Sequence, residues 1–352
     1  MSRAMVSPLE VEAALRRHDS ETNSPLQIQT EASLAKRHSY YKGDYEMNHL
    51  NRRRFLQVSA AAGTAGLFSG MAAPAIPPGK PFRLGIIIGV AKDPEASLKR
   101  VHEFGVPTCQ AQTDDFSDRV YTALKAASEK YAIEITAVNT SGGPPNMYTF
   151  YEGPLTIGVV PPKYRQQRVD NYKRASDFAK RLGVPAIHSH FGFIPENPND
   201  AEYEGTVGAL RDVATHVKGN GQIVLMETGQ ETPITMLRAI TDAGIDNLFV
   251  NLDCANLILY GKGNPLDALD VVGHLVRGTH AKDGLFPTNP RKLGEEVPIG
   301  KGKANFPKLI PRLKQLGYPG PLTIEREISG PQQFEDIKAE KVYLEKLVAQ
   351  LG

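Results

Sequence analysis

The stretch QIVLMETGQETPITMLRAITDAGIDNLFVNLDCAN, residues 222–256, decides the fold. Two apolar runs, 222–229 and 248–256, bracket a segment at 232–243 whose apolar residues recur at helical spacing. Each run reads as a strand, and each closes on a carboxylate, Glu227 in the first and Asp253 in the second.

The same alternation extends in both directions. Candidate strands occupy 82–90, 107–113, 133–140, 185–192, 222–229, 248–256, 276–283 and 321–327. Candidate helices lie near 94–104, 115–131, 163–182, 205–218, 232–243, 265–274, 305–316 and 331–350. Asp93-Pro94 is an N-cap followed by proline at the first helical position. Gly105, Gly183 and Gly317 sit where helices should stop. Eight β-then-α units in about 270 residues predict an α/β protein, a (β/α)8 TIM barrel. A doubly wound sheet would want a glycine-rich phosphate turn after its first strand, and IIIGVAKDPE (86–95) holds one glycine.

In such a barrel the chemistry sits at the C-terminal strand ends. The fifth strand ends in Glu227, the sixth in Asp253, the seventh in His280 and the eighth in Glu325. These four are expected to converge above the barrel. Crowded carboxylates raise each other's pKa unless a cation holds them. Three carboxylates and one imidazole favour Mn²⁺, Mg²⁺ or Co²⁺, with Zn²⁺ admissible. Taken alone, Glu227 could form a salt bridge, Asp253 could cap the next helix and Glu325 could be solvated.

METGQE (226–231), NLDCAN (251–256), THAKDG (279–284) and TIERE (323–327) resemble the metal-binding strand ends of the xylose isomerase-like TIM barrels, the sugar phosphate isomerase/epimerase superfamily. The resemblance covers roughly residues 82–350. It implies one divalent metal held by Glu227, Asp253, His280 and Glu325. It also implies an acid/base pair, Glu227 and Glu325, on opposite faces of a ketose that passes through an enediolate. Where the family often has a histidine three residues after the sixth-strand aspartate, this chain has Asn256, which can donate a hydrogen bond but carries no proton at neutral pH. That departure keeps open a lyase or dehydratase acting on keto-sugars or 3-keto-glycosides.

Other residues are expected near the mouth. His188 and His190 end the fourth strand, and alternation puts them on one face, for substrate contact or for packing. Lys282 and Asp283 follow His280 and are expected to touch substrate or to be solvated loop charges. Arg326 should point outward. The long loop 139–165, with Tyr148, Phe150 and Tyr151, is a candidate lid, or packs on the rim or on a second subunit of a homo-oligomer. PIGKGKANF (298–306) resembles a G-x-G segment common in the superfamily before its seventh helix.

Charge narrows the partners. The 352-residue chain has a net charge of +2, and residues 76–352 hold 32 basic and 32 acidic side chains. That balance argues against nucleic acid as a partner, and so against a DNA-processing nuclease on the same barrel. It favours a small carbohydrate, turned over or, in a non-catalytic barrel, only bound. The two cysteines, Cys109 and Cys254, fall in different strands and suggest no disulfide.

The first 75 residues read as something other than fold. Arg52 and Arg53 with Phe55 and Leu56, a mildly apolar run and the small residues Ala73-Pro74-Ala75 resemble a twin-arginine export signal. The expectation is a signal at 47–75, a start at Met47, residues 1–46 as a disordered or mis-assigned extension, and an exported, periplasmic catalytic domain at 76–352. The apolar run is too short for a stable membrane span.

Overall fold

A computed structural model describes residues 82–351. The expected signal and the extension before it lie outside the described residues. Eight parallel strands close into a barrel in the order β1-β10-β7-β6-β5-β4-β3-β2. The strands are β1 (Leu84–Gly89), β2 (Thr108–Gln112), β3 (Glu134–Asn139), β4 (Ala186–Ser189), β5 (Ile223–Glu227), β6 (Leu248–Asp253), β7 (Val276–Ala281) and β10 (Leu322–Ile324). Between β7 and β10 a short antiparallel hairpin, β8 (Asp283–Leu285) with β9 (Glu295–Val297), rises from the loop. Among the described residues no helix is long and apolar enough to cross a membrane.

The helices start and stop where local chemistry dictates. Helix α1 (Pro94–Glu103) is capped by Asp93, whose carboxylate accepts the Ala96 N–H at 3.0 Å. The helix Pro162–Leu182 ends at Gly183, whose φ of 74° is the left-handed turn that glycine adopts at least cost. The last helix, α10, spans Pro331–Ala349.

Strand alternation builds the barrel in layers. Val224, Met226, Val250 and Leu252 point outward into the buried shell under the helices, with Met236 and Ala239 in the same cluster. Each large apolar side chain buried this way contributes about 1.5–3 kcal/mol. Their partners along the strands point inward. Low in the barrel these are Ala137, Ala186 and Leu225. Above them the Gln110 side-chain amide donates to Asn251 Oδ1 at 3.2 Å. Gly278 on β7 is small because a Cβ there would collide with Asn251 Oδ1. The next layer up is charged.

Candidate active site

Strand pairing sets the positions of the charged layer. Asp253 lies beside His280 in the β6–β7 register, and His280 beside Thr323 in the β7–β10 register. Glu325 follows the last residue of β10, and its N–H still donates to Ala281 O at 3.1 Å. One ligand atom each from Glu227, Asp253, His280 and Glu325 lies within 4.8 Å of the others. The four strand-end residues therefore meet.

His280 Nδ1 lies 2.8 Å from Glu227 Oε1, 3.1 Å from Glu325 Oε2 and 3.6 Å from Asp253 Oδ2. Its other nitrogen, Nε2, is 2.9 Å from Gln110 Oε1. Because the Gln110 amide nitrogen is engaged with Asn251, its oxygen accepts from Nε2–H. Gln110 thus turns Nδ1 toward the carboxylates, as the outer partner of a metal-binding histidine does.

Asp253 carries a buried oxygen that no donor reaches at hydrogen-bond distance. Its Oδ1 accepts the backbone N–H of Ala255 at 2.7 Å and of Asn256 at 2.6 Å. Its Oδ2 is buried and has no hydrogen-bond partner. The nearest positive groups are His280 Nδ1 at 3.6 Å and Lys282 Nζ at 3.7 Å, both beyond hydrogen-bond distance, and a cation among these four atoms would relieve the cost of burying that oxygen without a hydrogen bond. The donor set of three carboxylates and one imidazole fits a divalent ion.

Electrostatics follow from burial and neighbours. Burial pushes the Asp253 acid up to about 7 against the pull of Lys282. Burial acts the same way on Glu227, but the charges of His190, His280 and His188 outweigh it and hold Glu227 well below the ordinary range. Glu325 is likewise held down, by Lys282 and His280. Burial lowers His188, against the pull of Glu227. His280 is raised well above its usual value: Glu325 and Glu227 overcome its burial. A divalent ion at the same point would replace the Nδ1 proton.

The second oxygen of Glu227 faces the fourth strand. Oε2 lies 3.1 Å from His188 Nε2 and 3.0 Å from His190 Nε2. His188 is in turn held by the Asn139 side chain, and His190 Nδ1 lies 3.1 Å from Gln230 Oε1. Tyr148 packs edge-on to His190 with ring centres 5.4 Å apart. Phe150 meets Tyr260 in the same way at 6.3 Å, whereas Tyr151 is exposed. Part of the long loop therefore walls the mouth.

Lys282 is buried and points into the site. Its Nζ lies 3.2 Å from Glu325 Oε2, 3.2 Å from Asn256 Oδ1 and 2.8 Å from Glu327 Oε2. Asn256 also donates to Glu227 Oε1 at 3.4 Å. Asp283 is a correction. Expected to touch substrate or to be a solvated loop charge, it is instead buried: its Oδ1 accepts the N–H of Gly284 and Ala304, and its Oδ2 those of Gly300 and Gly302, all at 2.9–3.0 Å. Asp283 is the clamp for the segment 298–306. Gly302 is required there, since a Cβ would fall on Asp283 Oδ1. Arg326 points away from the cluster, as alternation implies, but is buried between Glu296 and Asp336 at 2.7 and 2.8 Å.

Gln110, Gln230, Glu327 and Asn139 had not been singled out from sequence. The available signal was the alternation Gln110-Ala111-Gln112 in β2, which sets amides on one face of an otherwise buried strand.

Residues 98–347 match the family model described as xylose isomerase-like TIM barrel. The chain belongs to this family. It is 34% identical to a xylose isomerase domain protein from Planctomyces limnophilus, whose crystal structure superposes with a TM-score of 0.73 over 77% of this chain and 99% of that one. A xylose isomerase-like TIM barrel protein from Mycobacterium smegmatis, solved in complex with magnesium, superposes at 0.59 with 16% identity, over 77% and 98%. Among curated relatives, the L-ribulose-5-phosphate 3-epimerase UlaE of Escherichia coli is 23% identical over 256 residues, 70% of this chain and 87% of that protein. The family includes sugar epimerases.

Proposed function

We propose that the protein is a divalent-metal-dependent isomerase or epimerase of an unphosphorylated ketose or keto-polyol, working through an enediolate. The observation that carries this reading is the cluster at four adjacent strand ends, with a buried Asp253 oxygen that lacks a hydrogen-bond partner. Its resemblance to sugar epimerases adds support. The unphosphorylated substrate rests on the export signal read at residues 47–75, because sugar phosphates are scarce outside the cytoplasm.

Glu227, Asp253, His280 and Glu325 would hold the ion. When bound, a divalent ion supplies Lewis-acid polarisation of the substrate carbonyl and compensates enediolate charge. The remaining work falls to the chain. Glu227 and Glu325 are carboxylates held in the ionised form, ready to accept a proton from the carbon beside the carbonyl. One abstracts and the other returns the proton, which inverts the carbon when they act from opposite faces. Lys282 adds positive charge beside Glu325, and Asn256 presents an amide to a hydroxyl. His188 and His190 orient Glu227.

The test is solvent-deuterium exchange into a panel of free ketoses by Mn²⁺-loaded protein. Exchange in the wild type that disappears in Glu227→Gln and Glu325→Gln is expected. Metal-free protein that neither binds Mn²⁺ nor catalyses exchange would refute the proposal. A second reading, a lyase or dehydratase, draws on His190. This partly exposed imidazole beside Glu227 is placed to protonate a leaving group. Products lacking water or an aglycone would select it.

A further inference from the structure

Lys282 faces the same oxygens as the candidate metal position. Glu325 Oε2 lies 3.2 Å from Lys282 Nζ and 3.1 Å from His280 Nδ1. Asp253 Oδ2 lies 3.7 Å from Lys282 Nζ and 3.6 Å from His280 Nδ1. Both oxygens therefore stand between the imidazole of the cluster and a buried ammonium. The closest partner of that ammonium lies elsewhere. Glu327 Oε2 is 2.8 Å from Nζ, and Asn256 Oδ1 is 3.2 Å from it. The Lys282 side chain is 1% exposed and that of Glu327 is 58% exposed, so one group is enclosed and the other stands in solvent at the rim. The backbone of Glu327 is pinned, because its N–H donates to Glu296 Oε1 at 3.1 Å.

We propose that Lys282 is a built-in counter-ion that competes with the divalent metal for Glu325 and Asp253, and that Glu327 draws it aside, so that this pair sets how tightly the metal is held. The inference rests on the metal-dependent reading of the site and adds the control of its metal affinity.

Charge carries the argument. Glu227, Asp253 and Glu325, when ionised, crowd three negative charges together, and Lys282 offsets one of them. The two that remain match a divalent ion. Without metal, the ammonium relieves repulsion among the carboxylates. Beside a bound ion the same ammonium is a like charge, in buried surroundings that screen it poorly. Glu327 opposes that repulsion without belonging to the cluster, since it holds Nζ from the rim side. Solvent screens Glu327, so its influence is the smaller of the two.

Calorimetry of Mn²⁺ binding, at one pH and without substrate, tests the proposal. Lys282→Met keeps the bulk of the side chain and removes its charge, and should tighten binding at least about fivefold. Glu327→Gln should weaken binding about twofold or more. In the double variant the Glu327 change should add nothing, because that carboxylate acts through Lys282. A smaller gain, no change or a loss in Lys282→Met would overturn the proposal. So would wild-type affinity in Glu327→Gln, or a Glu327 effect undiminished in the double variant. If Lys282→Met does not fold, Lys282→Gln takes its place with the same expectations, being neutral and still able to donate to Asn256. Melting gives an independent reading. Metal-free Lys282→Met should unfold below wild type, and a given Mn²⁺ concentration should raise its Tm by more than it raises that of wild type; an equal or smaller rise contradicts the competition. Wild type that binds no Mn²⁺ would instead refute the metal-dependent reading, and this inference with it.

Discussion

Asp253 and Asp283 are both fully buried carboxylates at the top of the barrel, thirty residues apart, yet they serve opposite ends. Both oxygens of Asp283 are satisfied by backbone N–H groups, two each, so the residue fixes a loop and asks for nothing more. Asp253 has one oxygen satisfied by the backbone and one with no hydrogen-bond partner, beside Glu227, His280 and Glu325. Burial alone does not mark a functional acid. What each oxygen finds does.

The comparison can be broken at several points, and the largest effect belongs to the proposed proton-transfer pair, Glu227 and Glu325. Glu227→Gln and Glu325→Gln should each lower kcat for exchange by about 10²–10⁴, the usual contribution of a positioned acid or base. Steady-state kinetics of Mn²⁺-loaded variants check this. Asp283→Ala should do the reverse. It strands buried N–H groups and should cost about 3 kcal/mol or more of stability, read as a lower Tm, while the Mn²⁺ stoichiometry stays that of wild type. Asp253→Asn should lose the metal but keep the Tm of the metal-free protein within a few degrees.

A smaller effect sharpens the metal side. Gln110→Leu removes the acceptor that turns His280 Nδ1 inward, and should weaken Mn²⁺ binding by about 10–100-fold, measured by calorimetry. The smallest effect lies beside the Asp283 loop. Glu340 accepts the Ile299 N–H at 3.1 Å, and burial pushes its acid up to about 7. The neutral form is therefore favoured in the fold. The stability it supports is complete below the ordinary carboxylate range, and is lost as pH rises toward about 7. Glu340→Gln should flatten that part of the Tm–pH curve.

The barrel was legible because strands buried on both faces leave long apolar runs, and because caps such as Asp93-Pro94 and Gly183 mark helix ends. The ends of strands were less so. TIERE (323–327) reads as strand throughout, but β10 stops at Ile324, where β1 diverges, and nothing local in those residues announces the divergence. The four clustered residues, Glu227, Asp253, His280 and Glu325, are legible because they are charged at strand ends in consecutive units. Gln110 was not, because it is neutral and reaches His280 across the barrel from β2, a neighbour only after closure. Asp283 misled for a related reason. Its position after His280 suggests contact with substrate or solvent, whereas its partners lie up to 21 residues onward in 300–304.

The central claim is tested most directly by anomalous diffraction from crystals soaked in Mn²⁺. The account predicts one strong peak within bonding distance of Glu227, Asp253, His280 Nδ1 and Glu325, absent in Asp253→Asn. A peak elsewhere, or none at this cluster in fully soaked wild-type crystals, would contradict it.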